Sequence, residues 1–456
     1  MFNIKEIINN QNNYFEKGQT KDLTFRLNKL TVLKKMIAEN DEAIMAALKK
    51  DLNKAPFESY ETEIGILLEE INYVIKNLPR WDKRKKVCTP LINFLSSSHV
   101  YSEPYGVALV ISPWNYPFQL TISPLIGSIA AGNCTLIKPS EYSVYTSELL
   151  EDLIARYFEP GFISVVKGDK DVSQQLLEEK FDYIFFTGSV EVGKIIMKAA
   201  SKHLTPVTLE LGGKSPCIID ETADLDLAAK RIVWGKFLNA GQTCIAPDYL
   251  LVQSTIEKAL VSKIETYIEQ FYGKEPHRND DYPKIISMNH FQRLLNLLKD
   301  QKIIAGGNYD LNSQQIEPTL LGAVSWDSPV MQEEIFGPIL PIITFDTIDE
   351  VIRSVNNRPK PLALYYFSTN KKRQNKIIEE ISFGGGCVND TIMQVGSSYM
   401  PFGGVGESGM GSYHGKASFD TFSHKKSVVH KSNLVDINLR YPPFKNKLKW
   451  IKKVMR

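Results

Sequence analysis

Gly106-Val-Ala-Leu-Val-Ile-Ser-Pro-Trp-Asn-Tyr-Pro-Phe118 is the stretch whose reading decides the fold. It lies inside a longer run, Pro104 to Ile137, that contains no Asp, Glu, Lys or Arg. A run of that length could cross a bilayer. Pro113, Pro117 and Pro124 interrupt it, and Asn115, Gln119 and Asn133 lie within it. Dense polar interruption is untypical of a lipid-exposed helix, so the run reads as buried soluble structure. Its first part is a compact apolar strand bounded by Pro104 and Pro113.

Similar apolar runs follow at Cys134–Lys138, Phe162–Val166 and Tyr183–Thr187, with helical stretches between them. Strands that alternate with helices predict an α/β fold with a parallel sheet covered on both faces. The alternation continues more loosely at Val207–Leu211, Pro216–Ile219, Tyr249–Val252, Ile339–Phe345 and Leu364–Phe367. The first eighty residues read as helices, with Phe25, Leu27, Leu30, Leu33, Met36 and Ile37 near a 3.6-residue period and Glu61 to Leu78 continuing the pattern.

The chain has 456 residues, which suggests about three domains. With 43% hydrophobic and 23% charged residues it is ordinary globular material, not a disordered chain or a small disulfide scaffold. The net charge of +2 gives no field for gripping nucleic acid. Five widely spaced cysteines without a CxxC, and histidines without HExxH, argue against disulfides and against a metal. No secretory signal opens the chain, so a reducing cytoplasm is expected. The C-terminal segment carries Lys445, Lys447, Lys449, Lys452, Lys453 and Arg456, with Leu448, Ile451 and Met455 at helical spacing. It reads either as a solvated tail or as a short helix in peripheral contact with an anionic membrane.

Two glycine motifs mislead. Gly188-Ser-Val-Glu-Val-Gly193-Lys-Ile195 nearly spells a P-loop, but Ile195 stands where a hydroxyl must ligate Mg²⁺. What survives is a strand, Gly188-Ser189 and a helix N-terminus, which is either a place for a phosphate or a helix start capped by Ser189. Gly404-Val-Gly406-Glu-Ser-Gly409 matches GxGxxG, but it follows no buried strand and reads as a loop with unusual φ/ψ or close backbone approach.

Three residues are candidates for chemistry. Cys244, in Gly241-Gln-Thr-Cys-Ile-Ala-Pro247, is either a small buried hydrophobe or a thiol whose thiolate is favoured in a small-residue turn. Glu210 alternates with Leu209 and Leu211, so it marks either the wet side of a half-buried strand or a general base before two glycines. Asn115 supplies an amide at the end of an apolar strand, where open α/β sheets place their active sites.

Together these motifs resemble the aldehyde dehydrogenase superfamily along nearly the whole chain. The matching residues are Pro113-Trp-Asn-Tyr-Pro-Phe118, Lys138-Pro-Ser-Glu141, Phe186-Thr-Gly-Ser189 with Gly193, Leu209-Glu-Leu-Gly-Gly-Lys214, Gly241-Gln-Thr-Cys-Ile-Ala-Pro-Asp248, Glu333-Glu-Ile-Phe-Gly-Pro338 and Pro401-Phe-Gly-Gly-Val-Gly-Glu-Ser-Gly409. The short N-terminus and Arg440-Tyr-Pro-Pro-Phe444 point to the class 3 branch, whose members are usually dimers.

The resemblance implies a fold and a set of roles. A Rossmann-type cofactor domain would use residues 1–80 and 104–210, and an α/β catalytic domain residues 211–410. A small β oligomerisation arm would use 81–103 and 424–440, followed by the basic tail 441–456. Cys244 would be the nucleophile, Asn115 and the Cys244 backbone N–H the oxyanion donors, and Glu210 the base that activates water. Lys138 and Glu141 would bind the adenosine ribose, and Gly188, Ser189 and Gly193 the pyrophosphate side. Glu334 would bind the nicotinamide ribose, with Phe336 and Trp114 lining the cofactor site. Tyr116, Trp234 and Thr243 would line the substrate tunnel. Glu141 favours NAD, because a carboxylate repels a 2′-phosphate, although NADP is also accepted in this branch. The rival readings are a P-loop phosphotransferase, a cysteine acyltransferase or hydrolase without nicotinamide, and a binding protein that has lost catalysis.

Overall fold

The structure is a computed structural model that describes residues 3–436 and 438–454. The uncharged run folds into the strand Val107–Ile111, the helix Gln119–Ala131 and the strand Cys134–Lys138, all buried. Both faces of these strands are covered, so their residues need not alternate between apolar and polar. Gly132 ends the helix at φ +95°, against the Thr20 carbonyl, where a Cβ would come within 2.6 Å. Only glycine supplies such a left-handed cap at that distance.

Among the described residues the chain forms two large sheets. The first is six-stranded, in the order Gly409–Met410, Val207–Leu211, Tyr183–Gly188, Val107–Ile111, Cys134–Lys138, Ile163–Val165. All its neighbours are parallel except Gly409–Met410, which pairs antiparallel with Val207–Leu211. The strand order runs outward both ways from Val107–Ile111. The crevice beyond the carboxyl ends of Val107–Ile111 and Tyr183–Gly188 is therefore a topological switch point, where α/β sheets bind ligands. The Asn115 turn and the Gly188-Ser189 turn emerge there.

The second sheet is seven-stranded, in the order Lys302–Ala305, Thr319–Gly322, Ile339–Phe345, Tyr249–Gln253, Pro216–Ile219, Ala363–Phe367, Gly385–Val388. It is parallel apart from its first strand. Lys85–Val87, Ser96–Pro104 and Ser423–Lys431 form a separate antiparallel sheet, which apart from Pro104 and Ser423 falls in the segments expected to make the small arm.

Gly385–Val388 is a strand that no apolar run marks. Gly386 lies so close to its neighbour that a Cβ would sit 2.0 Å from the Leu364 carbonyl oxygen. The helix expected from Glu61 begins instead as a π-helix, Tyr60–Gly65, and becomes α-helical at Ile66–Trp81. Such wide turns cost hydrogen-bond geometry and cluster at functional sites.

Candidate active site

Beyond Val107–Ile111 the chain turns through Pro113–Phe118. Asn115 is buried there, and its side-chain amide donates to the Gln242 carbonyl at 3.0 Å. Its own carbonyl accepts from Asn239 Nδ2 at 2.8 Å and from Lys54 Nζ at 3.1 Å. Lys54 pairs with Glu63, and both side chains have zero exposure.

On the opposing side the helix Leu225–Phe237 stops, and Asn239, Ala240 and Gly241 take φ of +51°, +51° and +74°. Three successive left-handed residues are costly for the two that carry a Cβ, and such strain gathers at functional sites. Gly241 has no alternative, because a Cβ would sit 2.3 Å from the Gly337 carbonyl oxygen. The turn delivers Cys244 to the boundary between two cavities. Here the sequence expectation needs correcting. Burial, then the Glu210 and Glu334 carboxylates, push the Cys244 thiol well above its ordinary value, so the thiolate is not favoured. The turn follows a helix C-terminus, which offers no N-terminal dipole to a thiolate.

Glu210 does not lie on a wet face. Both it and Thr208 are buried, beside the covering strand Gly409–Met410. Burial raises the Glu210 carboxyl to about 7 against the opposing pull of the Cys244 and Thr187 side chains. Neither carboxyl oxygen has a well-formed hydrogen bond among the described residues.

The first cavity, of about 370 Å³, is lined by Tyr116, Trp234 and Thr243 together with Leu120, Ile245 and Phe402. The Tyr116 and Thr243 hydroxyls bond each other at 2.7 Å, so that part of the wall offers a ligand little polar contact. The second, of about 380 Å³, brings together Trp114, Asn115, Gly188, Ser189, Glu210, Glu334 and Phe336. Ser189 caps the helix Val190–Ser201 by accepting from the Val192 N–H at 3.4 Å, which leaves both readings of that turn standing. Gly193 is not among the residues lining the cavity. A Cβ there would lie 2.7 Å from Leu211 Cδ2, so it allows the helix to pack closely on the strand. Glu141 lines a separate, smaller groove with Lys167 and Gly168, and accepts from Lys138 Nζ at 2.8 Å.

Several groups escaped the sequence reading. His290 and Arg293, on the helix Met288–Leu298, line the second cavity. The His290 ring lies 5.0 Å from that of Trp114, and Arg293 binds Glu333 at 2.9 Å and the Ile335 carbonyl at 2.5 Å. Lys214 pairs with Asp248 and donates to the Glu333 carbonyl at 2.8 Å, while Asp248 accepts from the Ile335 N–H at 3.0 Å. These ties fix the segment that carries Glu334 and Phe336. Burial, then Asp248, raise Glu334 to about 8, opposed by the Gly213 N–H and Lys214. Lys214 and Asp248 stood within quoted motifs without a role, whereas nothing local marked His290 or Arg293.

A dinucleotide fits these residues. The helix N-terminus and Arg293 suit a pyrophosphate, and the Lys138–Glu141 pair suits ribose hydroxyls. The glycine cradle at Gly212 leaves just the space Glu334 occupies, since a Cβ would sit 1.9 Å from its Oε2. Fold and cleft together define a nicotinamide-dependent oxidoreductase built on two parallel sheets. Residues 3–428 match the family described as "Aldehyde dehydrogenase family", and the chain belongs to it.

Among its relatives is the Staphylococcus aureus 4,4'-diaponeurosporen-aldehyde dehydrogenase, 48% identical over 441 residues and covering 96% of each chain. The mouse "Aldehyde dehydrogenase, dimeric NADP-preferring" is 48% identical over 445 residues, covering 97% of this chain and 98% of the relative. The solved structure "Substrate bound state of Staphylococcus Aureus AldH" superposes with a TM-score of 0.98 at 47% identity, covering 100% of both chains. The protein is accordingly an aldehyde dehydrogenase that uses NAD or NADP.

The cradle makes a test. Gly212→Ala displaces the Glu334 carboxylate, and NAD binding followed by fluorescence quenching is expected to weaken about tenfold, the usual order for losing one charge-assisted hydrogen bond. Unchanged affinity would remove Glu334 from the cofactor site.

Proposed function

We propose that this enzyme oxidises neutral, apolar aldehydes to carboxylic acids through a thioester on Cys244. The observation that carries the reading is that Cys244 lines both cavities, with Glu210 and Asn115 beside it on the cofactor side. Because the thiol holds its proton, Glu210 first accepts it. The thiolate then attacks the aldehyde carbon to give a thiohemiacetal. The oxyanion accepts hydrogen bonds from the Cys244 backbone N–H and from the Asn115 N–H that Gln242 does not engage. NAD(P)⁺ supplies the hydride acceptor when bound. Glu210 releases the cysteine proton to solvent and then takes one from water, whose hydroxyl adds to the thioester carbon and expels the Cys244 thiolate. Residues 1–80 and 104–210 serve the cofactor and 211–410 the chemistry. Lys138, Glu141, Gly188, Ser189 and Glu334 hold the dinucleotide, with NAD favoured by Glu141 and NADP accepted.

Two side chains among those lining the substrate cavity are charged, Glu61 and Glu69, and no cation joins them among the described residues. This supports medium or long aliphatic, aromatic or terpenoid aldehydes. The β arm is read as the homodimer contact. In the tail the helix Leu448–Val454 leaves Leu448 and Trp450 exposed among its lysines, and Met455 lies outside the described residues. No helix among the described residues is long and apolar enough to cross a membrane. The tail is read as a peripheral contact with anionic lipid.

Cys244→Ala is expected to abolish NADH formation from any aldehyde. For Glu210, which works as a base only when deprotonated, deacylation should rise with pH through about 7 and be lost below it. Glu210→Gln should slow both the first turnover of NADH and the steady state, since it removes the base from thiol activation and from deacylation. A Glu210→Gln enzyme turning over at the full rate would remove that role. Deleting residues 445–456 should abolish co-sedimentation with phosphatidylserine vesicles, and equal binding by both forms would refute the tail's lipid contact.

A further inference from the structure

The geometry points to Lys54 and Glu63 as positioning residues that hold the Asn115 turn at its working distance from the nucleophile turn. The inference rests on the reading of Asn115 as an oxyanion donor. Neither residue lines either cavity, yet both are completely buried behind the turn. Burying a charge pair costs solvation and is seldom a net gain in stability. What the pair does here is hold peptide groups that no strand or helix can pair. The turn lies past a strand end and before a helix, its Pro113 and Pro117 lack N–H groups, and the first N–H groups of the helix are orphans.

Lys54 takes one end of the turn and Glu63 the other. Lys54 donates to the Asn115 carbonyl at 3.1 Å. Glu63 Oε2 accepts from the Phe118 and Gln119 N–H groups at 2.9 and 3.2 Å. The same Asn115 carbonyl accepts from Asn239, which belongs to the nucleophile turn. The Lys54 ammonium also lies 3.9 Å from the centre of the Tyr116 ring, whose hydroxyl reaches Thr243, the neighbour of Cys244. One buried cation therefore holds two groups of the Asn115 turn, each of which hydrogen-bonds the nucleophile turn. The π-helix Tyr60–Gly65 supports the arrangement. It carries Glu61, Thr62 and Gly65 on the cavity wall and Glu63 in the interior.

The test separates positioning from stability. Lys54→Met strands the Glu63 carboxylate and should lower both the melting temperature and kcat. The double variant Lys54→Met/Glu63→Met removes both charges and should regain part of the melting temperature, the Phe118 and Gln119 N–H groups staying unpaired. Its kcat with octanal and NAD should nevertheless stay about tenfold or more below wild type, with KM for octanal altered less than about threefold. A double variant whose kcat recovers along with its melting temperature would make the pair merely structural and overturn the inference. If the double variant does not fold, Glu63→Gln gives the same split. It keeps an acceptor for the two N–H groups but weakens the hold on Lys54, so a kcat at least about threefold down at wild-type KM supports the proposal and a wild-type kcat overturns it. Asn115→Ala is run alongside. If it keeps full kcat, the oxyanion reading itself fails, whereas a slow Asn115→Ala beside a fast double variant removes only the Lys54–Glu63 inference.

Discussion

The structure depends on a bridge of buried amides between two turns. Asn115 lies past the end of a strand of the first sheet, and Asn239 and Gln242 lie on the turn that closes a helix of the opposing layer. Asn115 donates to the Gln242 carbonyl, and Asn239 donates to the carbonyls of both Asn115 and Gln242. The Gln242 side chain in turn reaches the Lys284 carbonyl and the Ile286 N–H. Each bond contributes about 1 kcal/mol net, but each buried group left unpaired costs about 1–3 kcal/mol. A small shift of either turn would orphan several groups at once, so the gap between the layers has one favourable width. That width fixes where a sulfur and an amide can face a common ligand.

The same dryness that makes the bridge rigid sets the proton chemistry. Glu210, Glu334 and Cys244 are each pushed up, first by burial and then, for Cys244 and Glu334, by neighbouring carboxylates. Three acids in one dry site cannot all ionise. At neutral pH the site therefore holds protons that a bound cationic ring would help to expel. A carboxyl raised to about 7 is matched to the task of moving a proton near that pH, where an ordinary surface glutamate would be too weak a base.

The strands were legible because local composition determines them. Cys134–Lys138, Val207–Leu211 and Ile339–Phe345 form at the residues their apolar runs mark. The site residues were legible as motif positions, since Tyr116, Trp234 and Thr243 share one cavity and Trp114, Ser189 and Glu334 the other. Long-range pairing left no local trace. Lys54 lies in the loop after the helix Asp41–Leu52 and Glu63 in the π-helix, 9 residues apart, and only the turn they meet, 61 residues past Lys54, explains their burial. The protonation of Cys244 was illegible for the same reason, because its carboxylate neighbours come from other strands and loops. Gly386 sits in a strand that no apolar run marks, where the close approach of the Leu364 carbonyl leaves no room for a Cβ.

Selectivity by this reading follows from what the cavity wall omits. Tyr116 and Thr243 satisfy each other, so the wall offers an aldehyde chain mainly contact and dryness. A chain ending in a methyl or an aromatic ring gains about 25 cal/mol for each Å² of apolar surface it buries. A chain ending in a carboxylate or phosphate would lose its hydration, find no cation on the wall and meet Glu61 and Glu69. An unpaired buried charge costs several kcal/mol, more than a few methylenes return. On the proposed reading, discrimination against anionic aldehydes would need no dedicated recognition residue. It would follow from the lack of a cation on the cavity wall among the described residues, and introducing a single cation at Thr62 or Glu61 on the π-helix would be the least change to reverse it.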